Sequence, residues 1–257
     1  MPTVTVLRRD AQRPLTAAES SSVLAAVTAT TLADGASPLS EQFRLSLDAG
    51  DVDRDVDRDR NGVWHLLARH DDGSADPEPA DDRGAPAPVL AGYAQVRSGE
   101  ANEPASAELF VAPDARRTGV GSALLDALPA DVRIWSHDDN AAAGGFASAR
   151  GLTPVRSLHV MHRSLTGGTP WPAVDLPGTY LVRPFEPGRD EAEWLAVNAA
   201  AFVHHPEQGS LDRADLDQRM AQAWFDPAGL ILIVPRADPD EIAAFHWTKV
   251  DPPDGSR

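Results

Sequence analysis

The sequence predicts an α/β protein of the α+β kind, in which one unit occurs twice and the second copy is shorter than the first. Three observations carry this. The order strand, helix, helix, strand, strand can be traced in both halves. Val89-Leu-Ala-Gly-Tyr-Ala-Gln-Val96 corresponds to Glu241-Ile-Ala-Ala-Phe-His-Trp-Thr-Lys-Val250. An apolar strand, Leu109 to Val111, runs through an arginine- and glycine-containing turn into an apolar helix, and this happens in the first half alone.

In chain order, Thr3 to Leu7 alternates weakly as a first strand, and Thr16 to Ala33 reads as a helix with Thr16 and Glu19 spaced as a capping box. Ser37 to Leu47 reads as a second helix. Asp51 to Arg60 is a charged low-complexity run expected to be a solvated loop. Val63 to Arg69 and Val89 to Arg97 form a hairpin around the Asp-, Pro- and Gly-rich stretch Asp71 to Pro88, expected to be a surface insertion. Ala107 to Val111 is the next strand, Val120 to Leu128 a helix, Val132 to Trp135 a strand. Asn140 to Ala149 is a small-residue helix stopped by Gly151, and Val155 to Arg163 alternates as a final strand.

Domains are expected at residues 1–165 and 179–257, joined by the Pro- and Gly-rich linker 166–178. The second domain reads as strand Tyr180 to Pro184, helices Asp190 to Phe202 and Leu211 to Ala223, and strands Leu230 to Val234 and Ile242 to Val250. Gly119 and Gly121 follow Tyr93 by 26 and 28 residues, whereas only 12 residues follow Phe245.

Composition narrows the function. A net charge of −16 argues against nucleic acid or an anionic membrane as partner, since both need clustered cations. There is no cysteine, which excludes disulfides, thiolate metal sites and a cysteine nucleophile, and which fits a reducing compartment. Neither a signal peptide nor a membrane span is legible, so a cytoplasmic monomer is expected. Lys249 is the only lysine beside 22 arginines. Adjacent His204 and His205 point apart and have no third ligand at a useful spacing, so no metal site is expected.

The turn Arg117-Thr-Gly-Val-Gly-Ser122 has a definite chemistry. Amides in the first turn of a helix are unpaired donors at the positive end of its dipole, and glycine lets a diphosphate approach them. Arg116 and Arg117 are expected to add charge at the rim. The strand Leu109, Phe110 and Val111 can offer edge groups to pantetheine amides. A Rossmann site is disfavoured, because no third glycine stands at the required offset and no acid ends a following strand.

These residues, with Asn140 before a small-residue helix and Gly151-Leu152, resemble the GNAT family of N-acetyltransferases. Val197-Asn-Ala-Ala-Ala-Phe-Val-His-His-Pro-Glu-Gln-Gly209, Ala223-Trp-Phe-Asp-Pro-Ala-Gly-Leu-Ile-Leu232, Phe245-His-Trp-Thr-Lys-Val250 and Thr28-Ala-Thr-Thr-Leu-Ala-Asp-Gly35 resemble the mycothiol synthases, a tandem GNAT family, over nearly the whole chain.

The resemblance implies acetyl-CoA as co-substrate and, as acceptor, the cysteinyl amine of a cysteinyl-glucosaminyl-inositol. The coenzyme would lie on Leu109, Phe110, Val111, Arg117, Thr118, Gly119, Val120, Gly121 and Ser122, in a half that holds acetyl-CoA without performing the chemistry. Glu41, Glu207 and Lys249 match substrate-binding positions.

Each has a plainer alternative. Glu41 would suit a helix first turn in any case, Glu207 an exposed loop, and Lys249 a strand end with its stem lying on apolar surface. The family's catalytic residues, a further substrate-binding acid and the second coenzyme loop would follow residue 257, so no catalytic residue is assigned and the chain as written is expected not to complete the reaction alone. A non-catalytic acetyl-CoA-binding protein and a GNAT enzyme for another small amine are the alternatives.

Overall fold

The computed structural model describes residues 3–48, 62–70, 89–99, 104–138, 140–164, 172–173, 175–204, 206–209 and 211–250. The runs 51–60 and 71–88 lie outside the described residues, as does most of the expected linker. The chain divides into two compact units, Met1–Leu158 and His159–Arg257.

In the first unit β1 (Val4–Arg9), β2 (Val63–His70), β3 (Gly92–Arg97), β4 (Ser106–Val111) and β5 (Arg133–Trp135) form one sheet in that order. Pairing is antiparallel from β1 to β4 and parallel between β4 and β5. Alternation sorts side chains between two faces. Leu67, Tyr93 and Phe110 face the helices α1 (Ala17–Asp34) and α2 (Glu41–Asp48), packing on Val23, Val27, Phe43 and Leu47. Leu66, Ala68 and Ala94 face the other way, onto Val120 and Leu124 of α3 (Val120–Asp126). The last helix of the unit is α4 (Ala141–Ala149).

Local chemistry fixes the helix ends. Thr16 accepts from the Glu19 N–H and Glu19 from the Thr16 N–H, closing the capping box read in the sequence. Asn140 caps α4 by accepting from the Ala142 and Ala143 N–H groups. Gly35 ends α1 at φ 80°, the left-handed region that glycine enters freely.

One expected element is missing. Val155 to Arg163 is not a strand; the residues are exposed and without regular structure, with Val160 and Met161 about nine-tenths accessible. Alternation supplies a strand-like pattern, but an isolated strand has no partner for its amides, and no neighbour pairs with this one among the described residues.

The second unit is a three-stranded antiparallel sheet, β6 (Tyr180–Pro184), β7 (Leu230–Pro235) and β8 (Ala244–Trp247), with α5 (Glu191–Ala201), α6 (Pro206–Gly209) and α7 (Arg213–Met220). Its core gathers Phe185, Trp194, Leu216, Leu230, Leu232 and Val234. Asp190, buried, takes both prongs of Arg183 at 2.5 and 2.8 Å, which holds its carboxyl below the usual range despite burial. The order strand, helices, strand, strand thus occurs in both units.

Candidate functional site

Between β4 and β5 the sheet forks. Their pairing ends at Glu108 opposite Trp135, although β4 continues to Val111 against β3. The Ala112 N–H donates to the Ala91 carbonyl, so alternation turns the backbone groups of even-numbered β4 residues toward β3 and those of odd-numbered ones toward the fork. Beyond the last pair, the Leu109 carbonyl and the Val111 N–H therefore face the gap, an acceptor and a donor two residues apart along the strand. The side chain of Phe110 lies in the core on the α1 and α2 face.

The chain leaves β4 through a single turn of 3-10 helix, Pro113–Ala115, and then takes up two left-handed residues, Arg117 at φ 63° and Gly119 at φ 98°. Gly119 opens α3 with no side-chain cap, and its carbonyl takes the Ala123 N–H. The Val120, Gly121 and Ser122 amides are consequently first-turn donors without an intrahelical acceptor. Gly119 is needed for its conformation, since an added Cβ would meet nothing within 4 Å. At Gly121 an added Cβ would make only ordinary contacts, with Val111 at 3.4 Å and Phe146 at 3.5 Å.

The position of α3 depends on a residue that the motif reading passed over. A Cβ on Gly92 of β3 would come within 2.7 Å of Val120 Cγ1 and 3.0 Å of the Phe110 carbonyl oxygen, so glycine at this point lets α3 lie close on the sheet. Gly92 stands within the repeated Val89 to Val96 motif, but a lone strand glycine carries no signal of which helix will cover it.

The two arginines of the turn separate in role. Arg116 does not stand at the rim as expected; it forks onto Asp34 at 2.8 and 2.9 Å, tying the turn to the end of α1. Bidentate geometry outcompetes a solvated rim position, and the pairing raises the guanidinium pKa further. Arg117 is exposed. Thr118 donates to the Ala115 carbonyl at 2.6 Å, and His70 Nε2 lies 3.1 Å from the same hydroxyl, so this side chain braces the turn.

On the α1 and α2 face, the Glu108 carboxylate is buried. Oε2 accepts the Ser40 N–H at 2.7 Å, just before Glu41 begins α2. Oε1 lies 3.1 Å from His137 Nε2, and this contact raises the imidazole pKa despite burial. A second chain of polar groups, His65, Tyr93 and Gln95, runs alongside at 2.6 and 3.1 Å. Burial, and secondarily Glu108, hold the Tyr93 hydroxyl well above its ordinary pKa.

Of the acceptor-site candidates, Glu41 is half-buried in the first turn of α2, in the first unit. Glu207 belongs to α6, and its side chain lies outside the described residues. Lys249 follows β8 in the second unit, its ammonium 4.7 Å from the centre of the Trp224 ring. Within the second unit the Trp224 and Phe225 rings both lie on Trp247. His204 is exposed, and His205 lies outside the described residues.

No protein-family model matches the chain. Among curated proteins, the mycothiol acetyltransferase of Catenulispora acidiphila is 44% identical over 226 residues, which is 85% of this chain and 66% of that protein. The mycothiol acetyltransferase of Streptomyces coelicolor is 44% identical over 241 residues, 92% of this chain and 69% of the other. The chain belongs to the mycothiol acetyltransferase family.

It spans about two thirds of the length of these family members. A solved GCN5-related N-acetyltransferase from Sphaerobacter thermophilus superposes at TM-score 0.53 and 20% identity, over 96% of this chain and 72% of that one, and so shares the fold. The fork and the glycine turn lie wholly in the first unit. No described helix is long and apolar enough to cross a membrane.

Proposed function

We propose that this chain acts in acetyl transfer from acetyl-CoA to the cysteinyl amine of cysteinyl-glucosaminyl-inositol, with the coenzyme held by the first unit. One observation carries the coenzyme reading. The open groups of Leu109 and Val111 lead directly into a turn whose helix begins with uncapped amides at Val120, Gly121 and Ser122. A pantetheine arm carries amides that match an acceptor and a donor on a strand edge, and a diphosphate matches the amides of a helix start. Exposed Arg117 adds a cation at that end. The donor set fits the coenzyme, which supplies the acetyl group as a thioester.

The chain's own residues bind and orient. The α-amine of a cysteinyl group has a pKa near 8, so a small fall makes it nucleophilic at neutral pH, and positioning contributes much of the rate. Glu41, Glu207 and Lys249 suit an amino-sugar and an inositol, whose hydroxyls and amine take charge-assisted hydrogen bonds. Identity at 44% to named mycothiol acetyltransferases supports this acceptor over other amines.

Calorimetric titration with acetyl-CoA tests the coenzyme reading: one site is expected in the native chain. Gly121→Ala should keep the fold, because its Cβ makes only ordinary contacts. Gly121→Asp places a carboxylate beside the diphosphate and should weaken binding at least tenfold, roughly 1.4 kcal/mol. Equal affinity in the native and Gly121→Asp proteins overturns the assignment. Thiol release with the cysteinyl-glucosaminyl-inositol amine, compared with simple amines, tests the acceptor.

A further inference from the structure

The sole lysine of the chain is held over an indole. Lys249 Nζ lies 4.7 Å from the centre of the Trp224 ring, and both partners are fixed from behind. Trp224 meets Trp247 at a centroid distance of 6.0 Å, and Trp247 meets the buried Trp194 edge-on at 5.3 Å. Next to Lys249, Thr248 donates both its N–H and its hydroxyl to the Gly229 carbonyl, each at 2.8 Å. A Cβ on Gly229 would come within 2.9 Å of Thr248 Oγ1, so this close approach of two segments depends on a glycine.

We propose that Trp224 is a positioning residue, whose ring seats the Lys249 ammonium so that its N–H donors face a polyol ligand. The proposal rests on the reading of Lys249 as a substrate-binding residue and adds how it is held. A lysine side chain is flexible and strongly hydrated, and ordering it costs entropy. An aromatic face attracts the cation and strips water from one side of it, while the residue as a whole stays exposed to the hydroxyl oxygens of a ligand. Arginine, which supplies every other cationic side chain here, would stack flat and direct its donors along the ring plane. The lone lysine therefore suits a ligand approaching end-on, such as a cyclitol or amino-sugar hydroxyl.

Having one lysine makes the test direct. Reductive methylation with ¹³C-formaldehyde labels Lys249 and the chain's α-amine, which separate by their ordinary pKa values of about 10.4 and 8. In the native protein the dimethyl-Lys249 resonance should lie upfield of that of an exposed lysine, through the indole ring current. Trp224→Leu should return it to the exposed position, and Trp224→Phe should retain part of the displacement.

Added cysteinyl-glucosaminyl-inositol should move the signal in the native and Trp224→Phe proteins, and Trp224→Leu should bind about three- to fivefold more weakly. An undisplaced native resonance overturns the proposal, as does equal ligand affinity in native and Trp224→Leu proteins. A displaced resonance that no ligand moves overturns the substrate role of Lys249 itself, and the role of Trp224 with it. Loss of both displacement and affinity in Trp224→Leu, rescued by Trp224→Phe, supports it.

Discussion

Glu108 and Ser40, 68 residues apart in the chain, are joined by a 2.7 Å hydrogen bond from the Ser40 N–H to a buried carboxylate oxygen. The bond links the strand that forms one side of the fork to the start of the helix carrying Glu41. Glu108→Leu leaves that N–H without its partner and should lower stability by roughly 1–3 kcal/mol. Glu108→Gln keeps an acceptor while losing the charge and should fall between the two. Denaturant unfolding of the three proteins, read at constant m-value, measures the difference.

The other oxygen of Glu108 gives the fold a pH dependence. Contact with Glu108 raises the His137 pKa above 6.5, against the opposing effect of burial. A raised folded-state pKa contributes stability that is complete below the unfolded value and is lost as pH rises through the folded one. Unfolding free energy should therefore decline from about pH 6.5 upward. His137→Gln should flatten the profile in that window alone, and unfolding titrations at half-unit pH steps will show whether it does.

Legibility in the sequence followed the range of each interaction. The capping box at Thr16 and Glu19 is a three-residue device, and it forms as read. The Asn140 cap and the glycine turn at 117–122 are equally local, and periodicity located β1 to β8 within a few residues of their observed ends. Val155 to Arg163 failed because alternation reports a pattern, whereas a strand also needs a neighbour. Local sequence points Arg116 to the rim because Asp34, its partner, lies 82 residues away. The same applies to Glu108, whose partners Ser40 and His137 lie far from it in the chain, and to Trp224, whose ring meets Lys249.

The Arg116–Asp34 fork braces the glycine turn from the end of α1. Asp34→Asn should cost little stability, about 0.5–1 kcal/mol or less, because the pair is partly solvated. Its effect on acetyl-CoA should be larger in proportion, with affinity falling a few-fold as the turn loosens. Melting curves and calorimetric titration of the same preparation separate the two. Arg116→Lys should resemble Asp34→Asn, since a single ammonium cannot reproduce the bidentate contact.

Gly92 provides the sharpest test that placement of α3, rather than the turn sequence alone, sets coenzyme affinity. Gly92→Ala drives a methyl to 2.7 Å from the Val120 side chain and 3.0 Å from the Phe110 backbone oxygen. Val120 is β-branched and buried, so it cannot rotate away cheaply. The helix must shift, costing about 1–3 kcal/mol and moving the Val120, Gly121 and Ser122 amides together. Acetyl-CoA affinity should drop severalfold, although Gly92 carries no group that could bind the ligand. Val120→Ala removes the closest obstructing carbon, so the Gly92→Ala/Val120→Ala double variant should recover part of the affinity lost in Gly92→Ala. Strictly additive losses in the double-mutant cycle would show that the two residues do not compete for the same space.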